Sequence, residues 1–181
     1  MGHSTQVFTP LNIAVLTVSD TRNKNTDTSG EYLTLSATEA GHKVIIRKVV
    51  IDDIYQIRAA ISQYIADEYI QAVLITGGTG FTDRDSTPEA VIPLLDKKVE
   101  GFGELFRQLS YVEIGTSTIQ SRALSGLANG TIVFCLPGST GACKTAWQGI
   151  IRAQLDGAQG PCNFIPHLKG IGSQTCETRT I

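Results

Sequence analysis

"AVLITGGTGFTDRDSTPEAV", residues 72–91, decides how the chain folds. It opens on a continuous apolar run, breaks at two glycines and restarts at Thr87-Pro88-Glu89. An unbroken apolar run bounded by glycine reads as a strand buried on both faces. Thr-Pro-Glu reads as helix cap, fixed-φ proline and first-turn acid. Pro93 ends or kinks that helix within two turns.

The same alternation precedes this stretch. "NIAVLTVSD" (12–20) is a buried strand, followed by the polar loop "TRNKNTDTSG" (21–30) and a helix capped by Thr28 or Ser29 that stops at Gly41. "KVIIRKVV" (43–50) is a second strand. Ile54, Ile57, Ile61, Tyr64 and Ile65 then follow helical spacing, with Asp52 and Asp53 at the positive end of the helix. Strand and helix alternating three times predict βαβ units, hence an α/β fold with a mostly parallel sheet covered by helices.

Farther on, Phe102, Leu105, Phe106 and Leu109 mark another helix, and a short segment runs through Ile119 and Arg122. "ALSGLANGTIVFCLPG" (123–138) reads as a hairpin, because Asn129-Gly130 suits a type I′ turn. The last helix is expected from about Ala142 to Leu155, carrying Ala146, Trp147, Ile150 and Ile151. One domain is expected over residues 11–168, with flexible ends at 1–10 and 169–181, the last ten residues disordered or ordered only against a neighbour.

With 181 residues, 41% of them hydrophobic, the chain suits one well-buried domain. A formal charge of −2 and the lack of a Lys/Arg stripe argue against nucleic acid as a partner. No apolar run is long enough for a membrane span, and the N-terminus has no apolar signal core. Cys135, Cys143, Cys162 and Cys176 have no metal-ligand spacing and read as reduced thiols of a cytoplasmic protein.

Ligands of open α/β sheets bind beyond the carboxyl ends of the strands. There the chain places Ser19-Asp20, then Asp52 and Asp53, then Gly77-Gly78-Thr79-Gly80 with Asp85, and finally Pro137-Gly138-Ser139-Thr140-Gly141. Glycines let backbone N–H groups approach an anion, and a helix start adds partial positive charge. Carboxylates beside such loops suit a hard cation such as Mg²⁺ lying between them and a phosphate. Alternatively, they accept from the N–H groups of a heterocycle. The combination points to a nucleotide or phosphorylated heterocycle with Mg²⁺. "GSTGACKT" (138–145) misses the P-loop pattern, since Cys143 stands where glycine belongs. His3, His42 and His167 have no nucleophile partner that would make a hydrolase triad.

"TVSD", "TGGTGFTDRDSTPEA", "EGFGELFRQLS", "TSTIQSRALSG" and "LPGST", in this order, resemble the MoaB/MogA family of molybdenum cofactor biosynthesis. The resemblance covers about residues 10–168 and implies a three-layer α/β/α sandwich, usually trimeric, that binds molybdopterin. Active members adenylylate the terminal phosphate of molybdopterin with Mg-ATP. Carried over residue by residue, the catalytic and metal-binding acids fall on Asp52 and Asp85, with Asp53 a neighbouring candidate. The nucleotide side falls on Ser19, Asp20, Pro137, Gly138 and Ser139. The pterin side falls on Gly77, Gly78, Thr79, Gly80, Thr118 and Ser121. The partners implied are molybdopterin, ATP and further copies of the chain, as a trimer or a dimer of trimers. This chain reads "PGST" where adenylylating members typically read "PGxP". A non-catalytic molybdopterin-binding or assembly protein is the alternative reading.

Overall fold

The computed structural model describes residues 7–171. Expectations for residues 1–6 and 172–181, including Cys176, lie outside the described residues.

The strands are β1 (Asn12–Val18), β2 (Lys43–Val50), β3 (Ala72–Thr76), β4 (Lys97–Lys98), β5 (Leu124–Ala128) and β6 (Thr131–Leu136). They form one sheet in the order β2-β1-β3-β6-β5-β4. β2, β1, β3 and β6 run parallel, and the β5–β6 hairpin adds the antiparallel edge. Its turn has Asn129 at φ 48° and Gly130 at φ 70°, the doubly positive geometry of a type I′ turn.

Two cores lie on opposite faces of the sheet because side chains alternate along each strand. Ile13, Val15, Leu74, Ile132 and Phe134 face one core, together with Leu33 of helix α1 (Thr28–Glu39), Phe102 and Phe106 of α4 (Glu100–Ile114), and Ala146 of α5 (Thr140–Ala146). Ala14, Leu16, Val73, Ile75 and Val133 face the other, with Ile57 and Ile61 of α2 (Ile54–Ala66) and Val91 of α3 (Thr87–Val91). This is the expected three-layer α/β/α sandwich with a mostly parallel sheet.

Several boundaries differ from expectation. Helix α1 is capped by Asp27, whose Oδ1 accepts from Gly30 N at 2.8 Å, and not by Thr28 or Ser29. A carboxylate three residues upstream wins because Asp27 is buried against Thr17 Oγ1 and Arg47. Thr87 lies inside α3 with Ser86 at the cap position, because its hydroxyl donates to Gly77 O at 2.8 Å instead. Pro93 falls in a 3₁₀ turn, Ile92–Leu94, that ends α3. The last helix starts at Thr140, capped by Ser139, and continues through a π-helical turn at Trp147–Ile151 into α6 (Arg152–Gln154). The two-residue strand β4 was too short to register as a pattern.

Candidate active site

The sheet order makes β1 a switch point. The chain leaves β1 through α1 on one face for β2 and returns through α2 on the other face to β3. A crevice opens where the order reverses, beyond the carboxyl ends of β1 and β3. Gly77 enters it donating its N–H to Leu136 O at 3.0 Å, which ties the end of β3 to the end of β6. A Cβ at Gly138 would stand 3.2 Å from Gly77 Cα, so the two glycine loops touch backbone to backbone.

Gly78, at φ +64°, occupies a place where a Cβ would strike Thr87 Oγ1 and lie 2.5 Å from Asp52 Oδ2. No side chain fits between the loop and that carboxylate. Asp52 is buried, and its Oδ1 accepts from Ser86 N at 3.0 Å and Ser86 Oγ at 2.6 Å. Asp53 behaves differently: its Oδ1 caps α2 by accepting from Tyr55 N and Gln56 N, at 3.0 and 2.9 Å. Capping occupies Asp53, so Asp52 is the acid facing the glycine loop.

Asp85 Oδ2 accepts from Thr82 N at 2.8 Å and Thr82 Oγ1 at 2.6 Å, closing the loop on itself. A Cβ at Gly80 would lie 2.7 Å from the same oxygen and 3.1 Å from Oδ1. Burial pushes the Asp85 carboxyl up. The Thr82 hydroxyl, the N–H groups of Thr82 and Gly80, and the charge of Arg122 outweigh burial and hold it below its ordinary value. Asp20 also titrates below the usual carboxylate range, chiefly through its bond to Arg84 and then through the Asp52 N–H. Arg84 grips it in fork geometry, Nε to Oδ2 at 3.0 Å and Nη2 to Oδ1 at 2.7 Å.

The sequence-predicted residues fall into three groups. Thr79, Gly80, Thr118, Ser121 and Pro137 line one cavity of about 370 Å³, walled on its far side by Phe106, Ser110 and Glu113 of α4. Ser19 and Asp20 line a second cavity of about 440 Å³ with Arg22, Lys24, Arg47 and Lys48. Gly77, Gly78, Gly138 and Asp52 form the floor between strand ends. Ser139 is taken up by capping α5, its Oγ accepting from Ala142 N at 3.1 Å. The near-P-loop is not one: Cys143 is buried beneath the turn, its Sγ 3.2 Å from Thr76 Oγ1, and burial raises the thiol to about 11.

Sequence reasoning missed two arginines that hold the site together. Arg22 donates to Gly138 O at 3.0 Å and Ser29 Oγ at 2.9 Å. Arg122 donates to Thr79 O at 3.2 Å and Asp85 O at 2.8 Å, pairs with Glu89, and lies over the Phe81 ring. Their signal was faint, since a lone arginine in a polar segment reads as solvated.

Among the described residues, no three His, Cys, Asp or Glu side chains converge as a metal cage. Mg²⁺ is usually held by one or two carboxylates plus substrate phosphates and water. Asp52 Oδ1 and Asp85 Oδ2 are committed to loop hydrogen bonds, Asp52 Oδ2 is turned to Gly78, and Asp85 Oδ1 takes no bond from Thr82. That donor set fits a cation arriving on a phosphate ligand, not a resident one.

The chain is similar to several known proteins. A family described as "Probable molybdopterin binding domain" matches residues 14–157. Molybdenum cofactor biosynthesis protein B of Escherichia coli (strain K12) is 56% identical over 169 residues, covering 93% of this chain and 99% of that protein. A crystal structure of molybdenum cofactor biosynthesis protein B superposes with a TM-score of 0.80 at 44% identity, over 83% of this chain and 94% of the other. The tungsten cofactor synthesizing protein MoaB from Pyrococcus furiosus gives a TM-score of 0.71 at 36% identity, over 78% and 90%. With the family match spanning most of the domain and the relatives aligned nearly end to end, the chain belongs to the MoaB/MogA family of molybdenum cofactor biosynthesis proteins.

Proposed function

We propose that this chain binds molybdopterin and transfers an adenylyl group from Mg-ATP to its terminal phosphate. The observation that carries the reading is the hydroxyl-lined cavity bounded by Thr79, Gly80, Thr118, Ser121 and Pro137, opening beside the glycine floor under Asp52. Its volume, about 370 Å³, is in the range of small-molecule sites.

The chemistry asks little of the side chains. A phosphate monoester is already an anionic nucleophile at neutral pH, so no base is required. Its oxygen attacks the α-phosphorus of ATP, the bond to the β-phosphate oxygen breaks, and pyrophosphate leaves. The chain's contribution is to hold the two phosphates in line and to present N–H groups and charge to the transferring group. A magnesium ion on the ATP phosphates supplies charge neutralisation; Asp52 and Asp85 are the residues that would hold it. Phe106 and the hydroxyls of Ser110 and Thr118 would seat the heterocycle.

A second reading, molybdopterin binding without catalysis, has its own support. Asp20 is neutralised by Arg84, and one oxygen of Asp85 is spent on its own loop. Incubating the purified chain with molybdopterin and Mg-ATP distinguishes the two. Adenylylated molybdopterin with equal pyrophosphate is expected. Binding without product leaves the second reading, and no molybdopterin binding ends both.

A further inference from the structure

Arg122 stands outside the glycine loop, directly after Ser121 in the wall of the larger cavity. Each of its three guanidinium nitrogens has a partner. Nε donates to Thr79 O at 3.2 Å, Nη2 donates to Asp85 O at 2.8 Å, and Nη1 pairs with Glu89. The guanidinium carbon also lies 5.2 Å from the centroid of the Phe81 ring. Held on all three nitrogens and one face, this guanidinium is fixed to the loop. Among the described residues, no other side chain donates to either carbonyl.

The two carbonyls stand at opposite ends of the loop, and each belongs to a peptide plane. A trans peptide plane points its C=O and the N–H of the following residue in opposite directions. Thr79 O, bound to Arg122, therefore turns the Gly80 N–H to the far side, where it meets the Asp85 carboxylate. Asp85 O, bound to Arg122, likewise turns the Ser86 N–H away, and that N–H donates to Asp52 Oδ1 at 3.0 Å. One guanidinium thus sets two planes, and each plane presents a donor to one of the two acids. Inside the loop, the bonds run between Thr82 and Asp85 and involve neither plane.

We infer that Arg122 is a positioning residue that orients Asp52 and Asp85 together toward the cation carried by the nucleotide. This rests on the adenylyl-transfer reading above. Without the fork, molybdopterin keeps its cavity while both acids lose their aim. The rate then falls, and more Mg²⁺ is needed to reach it. Lysine keeps the charge but, as a point donor on a flexible stem, cannot hold two carbonyls at once.

Arg122→Lys and Arg122→Ala test this in the whole chain. Hydrogen exchange read by mass spectrometry needs no ligand and reports the clamp directly. Peptides spanning residues 79–86 should exchange about tenfold faster in both variants, with β1 and β3 peptides unchanged. Molybdopterin affinity should stay within about threefold of the parent, while kcat in Arg122→Lys falls about tenfold or more. The Mg²⁺ concentration giving half the maximal rate should rise about fivefold.

Unchanged exchange at residues 79–86 overturns the clamp, whatever the activity. Faster exchange with unchanged kcat and Mg²⁺ dependence overturns the positioning role. Molybdopterin affinity falling in step with kcat also overturns it, since Arg122 would then serve the cavity itself. A parent that binds molybdopterin without turnover ends the transferase reading, and the positioning role is then decided by Mn²⁺ binding with ATP, followed by paramagnetic resonance. Binding about fivefold weaker in Arg122→Lys supports the role. Equal binding, or none in the parent, overturns it.

Discussion

Ser86 donates both its N–H, at 3.0 Å, and its hydroxyl, at 2.6 Å, to the single oxygen Oδ1 of Asp52. This pair ties the residue just before α3 to the second residue after β2, across the glycine loop. Hydrogen bonds to a charged, buried acceptor contribute about 1.5–3 kcal/mol each. Asp52→Asn is therefore expected to lower the melting temperature by several degrees, on a scale of about 2–4 °C per kcal/mol. It is also expected to reduce adenylylation about a hundredfold. Calorimetry and a turnover assay check the two effects separately, and full activity in this variant would remove Asp52 from the site.

Gly78→Ala probes the floor of the crevice without changing any charge. The residue sits at φ +64°, and an added Cβ meets Thr87 Oγ1 and Asp52 Oδ2. Backbone strain of this kind costs about 1–3 kcal/mol, and the displaced carboxylate also loses its place. The expected outcome is a lower melting temperature together with weakened molybdopterin binding by titration calorimetry. Unaltered binding would show that the loop does not contact the ligand.

His42 gives the fold a pH dependence distant from the site. Its Nδ1 accepts from Leu11 N at 3.2 Å, which requires the neutral ring. Burial disfavours the imidazolium and holds its pKa below 6.5, with the charge of Asp156 opposing. With the folded value below the unfolded one, the stability this ring contributes is complete above about 6.5 and is lost as pH falls through the folded value. Melting temperature should drop between about pH 7.5 and pH 5, and His42→Gln should flatten that slope. Equal slopes in both proteins would exclude His42 as the source.

The apolar face of α4 was legible in sequence, but only half of it is core. Phe102 and Phe106 are buried, whereas Tyr111, Val112 and Ile114 are 58, 85 and 54% exposed, and Ile119 just beyond is 79% exposed. A patch of this kind marks an interface. A particle of three chains of 19.4 kDa, or a multiple of three, is expected by light scattering. Val112→Lys should shift it toward monomer, and a wild-type monomer at micromolar concentration would refute the assembly.

What the sequence disclosed and what it hid divide along physical lines. β1, β3 and β6 are buried on both faces, so their apolar runs stand out, as do the glycines that follow β3 and β6, and the strand ends mark the crevice. Capping was harder to read. Asp27 looked like one more polar residue in a solvated loop, yet it is 1% exposed and paired with Arg47 from the neighbouring strand. Asp52 and Asp53 are adjacent and chemically identical, and only the fold shows that one caps α2 while the other faces the loop. Arg122 reaches the loop between Thr79 and Asp85 from about forty residues downstream, a contact no local pattern encodes.

Asp85 carries the sharpest test. The structure gives it a loop role, since Oδ2 takes the N–H and hydroxyl of Thr82. That role asks for an acceptor, not a charge, and the amide oxygen of asparagine can serve it. A charge is needed only if Oδ1, the oxygen that takes no bond from Thr82, meets a cation carried on the phosphate ligand. Asp85→Asn is thus expected to leave the melting temperature within about 2 °C of the parent, because a partly exposed loop contact contributes less than about 1 kcal/mol. Turnover is expected to fall about a hundredfold, near 3 kcal/mol of transition-state stabilisation. Molybdopterin affinity without nucleotide should change little, since the cation enters with ATP. Unchanged turnover would assign Asp85 to the loop alone. A melting temperature falling in step with activity would make it structural. Lost turnover on an intact fold, with molybdopterin still bound, is the result that the charge of Asp85 requires.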